Sequence, residues 1–376
     1  MLIRELRLLN FRNYKTLSVQ FDPQINIFAG YNAQGKTNIL EAIYLLAMGR
    51  SFRAVKDSEM ITHDQSYSLV SGQVTTEATH TLELVLKRSG PKQFRFNKKD
   101  LPHKEFVGVF NVVLFTPDDL YLVKGSPGGR RRFLDWEISQ VSTGYRSLLL
   151  DYYKVLQHRN SLLKSIAFEN QDPKILEVWD QQLVELGSRL MTARADMIHK
   201  LGLLSRLMHR QISDGREDLE LRYVPFFAAD ERISDGHKYD SQSIRSRFTE
   251  AVASFRTAEF KRGYSLVGPH RDDFQFVING VDLKTFGSQG QQRTAILACR
   301  LAELEYMKSE TGSYPTILLD DVTSELDQQR KHFLLRLLTK KIQTVITTTN
   351  ISDFEPDLTN GAKVFHVSAG KVQERR

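Results

Sequence analysis

Gly30-Tyr31-Asn32-Ala33-Gln34-Gly35-Lys36-Thr37 carries the pattern Gly, four residues, Gly-Lys-Thr. A short apolar run, Ile25-Asn26-Ile27-Phe28-Ala29, leads into it. Ile39, Ala42, Ile43, Leu46 and Ala47 follow at the spacing of an amphipathic helix. Strand, glycine loop and helix in that order make a phosphate cradle, because glycines let backbone N–H groups wrap an anion at a helix N-terminus. All eight residues, Gly30, Tyr31, Asn32, Ala33, Gln34, Gly35, Lys36 and Thr37, are therefore expected to bind a nucleoside triphosphate. Lys36 supplies the cation for its β and γ phosphates, and the Thr37 hydroxyl is a magnesium ligand.

The partners of this loop lie at the far end of the chain. Pro315-Thr316-Ile317-Leu318-Leu319 reads as a buried strand that delivers Asp320-Asp321 at its C-terminal end. Asp320 is expected to hold Mg2+ through water, and Asp321 stands where a general base aligns the attacking water. Gly287-Ser288-Gln289-Gly290-Gln291 opens a helix, with Ser288 as its cap and its N–H groups aimed at an anion. One nucleotide site needs all three elements, so the two ends of the chain fold together and the middle projects as an insertion.

The 376 residues are enough for two or three domains, and 41% apolar with 26% charged content is ordinary for a globular protein. The lone Cys299 excludes an internal disulfide framework and suits a reducing compartment. The longest apolar runs are strand-sized and Met1-Leu2-Ile3-Arg4-Glu5 is not a signal peptide, so a cytoplasmic location is the expectation. The net charge of +7 is compatible with a polyanionic partner. Two local runs, Lys92 to Lys99 and Arg130-Arg131-Arg132, could touch phosphate or be solvated faces.

Strands are expected at Leu2 to Leu8, Ser68 to Val74, Thr81 to Lys87 and Val112 to Phe115, and Thr116 caps a helical turn begun by Pro117. From 130 to 262 helical periodicity takes over. Leu176, Trp179, Leu183, Leu186, Leu190, Ala193, Met197, Leu201 and Leu204 form one long narrow seam, and Tyr145 to Ile166 a less regular one before it. A turn at Glu169 to Pro173 makes the pair an antiparallel hairpin, with Ser241 to Lys261 a further helix and Leu219 to Val224 a possible short strand. After 262, strands are expected at Tyr264 to Val267, Phe274 to Ile278, Thr316 to Leu319, Thr344 to Thr348 and Val364 to Val367. Helices from Gln289 and Asp327 separate them, which implies an α/β sheet with a parallel core. Residues 1–129 and 263–376 thus form one head, and 130–262 an all-helical arm.

Two other motif matches fail on context. Asn97-Lys98-Lys99-Asp100 has the guanine-reading pattern of GTPases, but no Asp-x-x-Gly lies between it and the phosphate loop, and a hairpin turn explains it better. His270-Arg271-Asp272 lacks the asparagine and Asp-Phe-Gly that a kinase needs.

The order of phosphate loop, Ser-x-Gly-Gln and paired aspartates is similar to that of ABC-type ATPases. More specific marks are Asn10-Phe11-Arg12-Asn13-Tyr14, Gly30 to Asn38, Phe115 to Leu120, Val123 to Pro127, Arg130 to Asp135, Gly268-Pro269-His270-Arg271-Asp272-Asp273 and Gly287 to Arg293. With these the chain, over nearly its whole length, resembles the bacterial RecF family, relatives of the SMC and Rad50 ATPase heads. That resemblance implies ATP and Mg2+ as cofactors and an ATP-dependent homodimer in which Ser288 of one copy closes on the γ-phosphate held by the other. It implies DNA binding at single-stranded gaps and duplex/single-strand junctions, cooperation with RecR and RecO in loading RecA, and roles in DNA repair, replication and SOS induction. Arg12 resembles an arginine near the phosphates. Ser324-Glu325-Leu326-Asp327 has D-loop spacing, and Thr347-Thr348-Thr349-Asn350 stands where transporters carry a switch histidine. Most ABC-type ATPases have glutamate where Asp321 stands, so a weak, DNA-stimulated ATPase is expected. A transport or motor ATPase, or a non-catalytic repair scaffold, are the competing readings.

Overall fold

The computed structural model describes residues 1–169, 171–227, 240–321, 326–338, 342–354, 359 and 361–375. It divides into two compact units, Met1–Asp119 with Arg300–Arg376, and Leu120–Cys299.

The first unit holds two six-stranded sheets. One is formed by β1 (Leu2–Phe11), β2 (Tyr14–Gln20), β4 (Tyr67–Thr75), β5 (Thr79–Lys87), β6 (Gln93–Phe96) and β7 (Lys99–Asp100), in the order β2-β1-β4-β5-β6-β7 and antiparallel throughout. Asn97 and Lys98 both have positive φ between β6 and β7, the geometry of a two-residue hairpin turn, so the GTPase-like motif is a turn. The other sheet comprises β3 (Ile25–Ala29), β8 (Val112–Phe115), β12 (Thr316–Asp320), β13 (Thr344–Thr348), β14 (Lys363–Ser368) and β15 (Lys371–Glu374). Its order is β15-β14-β3-β13-β12-β8, parallel except for the β14–β15 edge.

Helix α1 (Lys36–Met48) packs on β4 and β5 of the first sheet and on β8, β12 and β13 of the second. It is buried almost all round rather than on one face, which corrects the amphipathic reading. A helix covered on both sides keeps apolar residues on every side. Gly49, in the left-handed region at φ 65°, ends it. Short α2 (His103–Phe106) and α10 (Gln328–Leu338) complete the unit.

The second unit begins with α3 (Tyr121–Lys124) and α4 (Pro127–Val141), continues through α5 (Thr143–Glu169) and α6 (Glu177–Ile212), and adds α7 (Ser241–Arg262) and α8 (Leu283–Phe286). Helices α5, α6 and α7 pack on one another, so the hairpin and the further helix form as expected. The buried face of α6 is broader than the narrow apolar seam and includes Asp180, Arg194 and His209. Arg159 of α5 explains part of this. Its Nε donates to Asp180 of α6 at 2.7 Å, Nη2 to Glu259 of α7 at 2.7 Å and Nη1 to Ser265 Oγ at 2.7 Å. One buried guanidinium thus joins three helices.

The segment is not wholly helical. β9 (Leu219–Val224) pairs antiparallel with β10 (Asp273–Ile278), which pairs with β11 (Val281–Asp282). This pairing carries the compact unit past residue 262, the boundary read from sequence. Tyr264 to Val267 is no strand. Its backbone donors go to side chains instead, Ser265 N to Asn160 Oδ1 at 2.8 Å and Leu266 N to Glu259 Oε1 at 2.7 Å. Helix α9 (Gln289–Thr311) contains the division between the two units.

Candidate functional site

Parallel pairing puts the C-terminal ends of β3, β13 and β12 side by side, the place where open α/β sheets bind ligands. In register, Thr347 faces Asp320 on one side and Phe28 on the other, and Thr348 faces Ala29. The loop after β3 has its shape imposed on it. A Cβ on Gly30 would lie 2.2 Å from the Val367 carbonyl oxygen, and one on Gly35 would lie 2.7 Å from both Asn13 Nδ2 and Tyr14 Oη. Gly35 also has φ 117°, a conformation glycine adopts without strain. Asn13 Nδ2 donates to the Gln34 carbonyl at 2.9 Å and Tyr14 Oη to that of Gly35 at 3.1 Å, while Ala369 N reaches Gln34 Oε1 at 2.7 Å. These neighbours hold the loop open with its N–H groups at the start of α1. Asn13 and Tyr14 had no assigned role from sequence, although both lie in Asn10 to Tyr14.

Lys36 is buried and folds back on its own loop, donating to the carbonyls of Gly30 at 2.6 Å and Tyr31 at 2.9 Å. Burial lowers its pKa from the ordinary lysine value, and the charges of Asp321 and Asp320 oppose that shift. Thr37 Oγ1 donates to Asp320 Oδ1 at 2.8 Å, bringing together the two residues expected to hold magnesium across 283 positions of sequence. Thr347 Oγ1 donates to the same oxygen at 2.8 Å. It also accepts from Asp321 N at 3.1 Å, where the chain turns at φ 51°. Thr347 is thus the polar residue of the Thr347 to Asn350 segment that meets both aspartates, at the end of the strand where a histidine is usual in transporters. No three His, Cys, Asp or Glu residues cluster as a metal cage among the described residues. A hydroxyl and one carboxylate suit magnesium, which keeps most of its waters and takes phosphate oxygens.

Arg12 is mostly committed elsewhere. Its Nε and Nη2 donate to Glu41 at 2.8 and 2.6 Å, and Nη1 to the Glu59 carbonyl at 2.8 Å. These bonds use three of the five guanidinium N–H donors and leave one proton on each of Nη1 and Nη2. Arg130 is likewise internal, forked onto Asp273 at 2.6 and 2.8 Å, and Arg131 donates to the Asp272 carbonyl. The triple-arginine run is therefore mostly scaffold, with Arg132 exposed. In the other basic run Lys92 pairs with Asp57 and Arg95 with Asp100, while Lys98 and Lys99 are exposed.

Ser288 and Gln289 are exposed at the start of α9 in the second unit. Ser288 Oγ accepts from Gln291 N at 3.2 Å, and Ser288 N donates to Gln291 Oε1 at 2.9 Å, a reciprocal capping box. Ser324 and Glu325 of the expected D-loop lie outside the described residues.

Residues 2–373 match the family model described as RecF/RecN/SMC N terminal domain. The chain is 42% identical to the DNA replication and repair protein RecF of Alkaliphilus oremlandii (strain OhILAs), over 99% of this chain and 100% of that one. It is 42% identical to RecF of Exiguobacterium sp. (strain ATCC BAA-1283 / AT1b), over 99% and 98%. The chain belongs to the RecF family. A solved structure of the recombination mediator protein RecF-ATPrS in the RecFOR pathway superposes with a TM-score of 0.91 at 38% identity, covering 100% of this chain and 98% of that one. An Smc head bound to the C-winged helix domain of ScpA shares the fold, with a TM-score of 0.55 at 15% identity. The RecF-family assignment covers both units, so the arm helices are as much a part of the family fold as the phosphate loop.

Proposed function

We propose that this RecF-family chain is an ATP-dependent, DNA-binding recombination mediator that acts at single-stranded gaps and duplex/single-strand junctions. It dimerises on ATP and works with RecR and RecO to load RecA, in DNA repair, replication and SOS induction. The observation that carries the ATP-dependent part of the reading is the 2.8 Å bond from Thr37 to Asp320, which joins the phosphate loop to the strand-end carboxylate. The similarity to RecF bound to ATP in the RecFOR pathway supports it further. No helix among the described residues is long and apolar enough to cross a membrane.

Gly30 to Thr37 hold the triphosphate, and Lys36 turns from its loop carbonyls to the phosphates. Thr37 and Asp320 would hold Mg2+, which would neutralise charge on the phosphate oxygens. Asp321 orients the attacking water from the turn that Thr347 anchors. Arg12, held by Glu41, offers its remaining N–H donors to the nucleotide phosphates. Ser288 of a second copy closes the site, so turnover is linked to dimer opening and ATP acts as a timer of DNA residence. Within this scheme, residues 1–129 and 263–376 act as the head and 130–262 as the arm, a division by role that differs from the compact units, the second of which is Leu120–Cys299.

Sedimentation velocity with ATP and Mg2+, with and without gapped duplex, tests the reading. A monomer–dimer shift that needs ATP, together with slow hydrolysis stimulated by DNA, is expected. An unchanged sedimentation coefficient, or fast turnover without DNA, contradicts it. Lys36→Arg should keep some nucleotide binding and lose hydrolysis.

A further inference from the structure

We infer that Glu217 is a positioning residue for Ser288, linking the end of the longest helix to the serine that closes the nucleotide site. The inference rests on reading Ser288 as acting in trans. Glu217 lies in the segment between α6 and β9, and its Oε1 accepts from Gln291 Nε2 at 2.9 Å. The other end of the same amide accepts from Ser288 N at 2.9 Å, while Gln291 N donates to Ser288 Oγ at 3.2 Å. Glu217 Oε2 lies 3.6 Å from Nε2 of His209, a fully buried residue in the last turn of α6. The hydrogen bonds themselves run from Glu217 through Gln291 to Ser288, and Glu217 is tied to α6 by the short stretch of chain that follows Ile212.

The chemistry of the amide gives Glu217 its role. A glutamine side chain can present either its oxygen or its nitrogen to a neighbour, and only the oxygen can accept from Ser288 N–H. A carboxylate accepts and never donates, so Glu217 fixes the amide with its nitrogen outward and its oxygen on Ser288. That secures the Ser288 N–H half of the capping box, while the Gln291 backbone N–H engages the Ser288 oxygen and leaves its hydroxyl proton available to an anion. A carboxylate near a helix N-terminus that receives phosphate opposes that phosphate electrostatically. Its presence is accounted for by the orientation it imposes. Glu217 and Gln291 are both half-buried, so water competes poorly for their bond. Movement of the α6 end would release Gln291 and loosen Ser288 without touching the phosphate loop.

The experiment compares Glu217→Ala, Glu217→Gln, Gln291→Glu and the double variant Glu217→Gln/Gln291→Glu, with Ser288→Ala as reference. Dimer dissociation constants are measured by sedimentation in ATP and Mg2+, and monomer affinity with a fluorescent ATP analogue. Glu217→Ala and Gln291→Glu should each weaken the dimer at least tenfold with monomer ATP affinity within about twofold. Glu217→Gln should stay near the parent, since its amide oxygen still accepts. The double variant should recover most of what Gln291→Glu loses, because a glutamine at 217 can donate to a glutamate at 291. A merely structural role would lower monomer ATP affinity and stability together with the dimer, so the unchanged monomer affinity is the discriminating readout, and the double variant remains informative if Glu217→Ala fails to fold. If Ser288→Ala weakens the dimer but Glu217→Ala does not, or the swap fails to rescue, the inference is overturned and the trans reading survives. If Ser288→Ala leaves the dimer intact, both fall.

Discussion

Thr347 shows how much a single hydroxyl settles in this protein. It is at once donor to Asp320 Oδ1 and acceptor from Asp321 N, so it fixes the proposed magnesium ligand and the turn that aims the proposed base. Thr347→Val keeps the shape and removes both bonds. Displacements of about 1 Å at a reacting centre cost on the order of a hundredfold in rate. DNA-stimulated ATP turnover should fall at least tenfold and need more Mg2+, while Thr347→Ser should retain most activity, as a Mg2+ titration of hydrolysis would measure. In the Gly268 to Asp273 motif, burial drives two neighbouring groups in opposite senses. His270, which accepts from Tyr152 Oη at 2.7 Å, is lowered to about 4 by burial. Asp272 is raised by burial to about 6, against the pull of Arg194 and the bonds from Tyr223 and Phe226. A lowered histidine makes the fold gain stability as pH rises from about 4 to 6.5, whereas a raised carboxyl makes it lose stability as pH rises from about 4 to 6. Each contribution is about 3 kcal/mol, so they largely cancel over that window. His270→Asn should therefore give stability that falls with rising pH there, and Asp272→Asn stability that rises. Denaturant titrations between pH 4 and 6.5 measure both slopes, and parallel slopes in the two variants would contradict the assignment.

At the scale of elements, the arm helices are held together by charge as well as apolar contact. Leu163, Ile166 and Leu176 form a small core with Leu162 and Phe260. Beside it Arg159, 1% exposed, bonds to Asp180 and Glu259. Removing one member of a buried ion network leaves uncompensated charge and costs about 3–5 kcal/mol. Arg159→Met should lower stability by that order in urea unfolding, and a change within 1 kcal/mol would mean the network adds little. These helices also mark where sequence was legible. Strand β3, the glycine loop and α1 could be read because chemistry and periodicity agree there, and β12 and β13 because short apolar runs end in polar residues. Hydrophobic spacing alone could not find Arg159 or Arg194, since it leaves charged residues out of a buried face. Tyr264 to Val267 misled for a related reason, as its backbone partners are the side chains of Asn160 and Glu259. Glu217 gave no signal, because its partner Gln291 lies 74 residues away.

At the scale of the whole molecule, the proposed mechanism needs two copies of the chain. Spacing alone picked out the phosphate-loop motif, the paired aspartates and the helix start at Ser288, while the proposed closed site needs a second copy. A clamp on duplex phosphates should lose affinity steeply with salt as counterions are released, and the slope of log affinity against log salt, measured with ATP present, counts the phosphates engaged. A flat salt response would argue for a protein partner instead of DNA. The most direct test joins two differently tagged copies, one with Asn32→Cys in the phosphate loop and one with Gln289→Cys beside Ser288, using a short thiol cross-linker. Both positions are exposed, and the native Cys299 is buried. The account predicts a cross-link between the two tags that forms with ATP and Mg2+ and is absent without them. When both cysteines are placed in one chain, a cross-link confined to that chain with no joined pair of copies would contradict it.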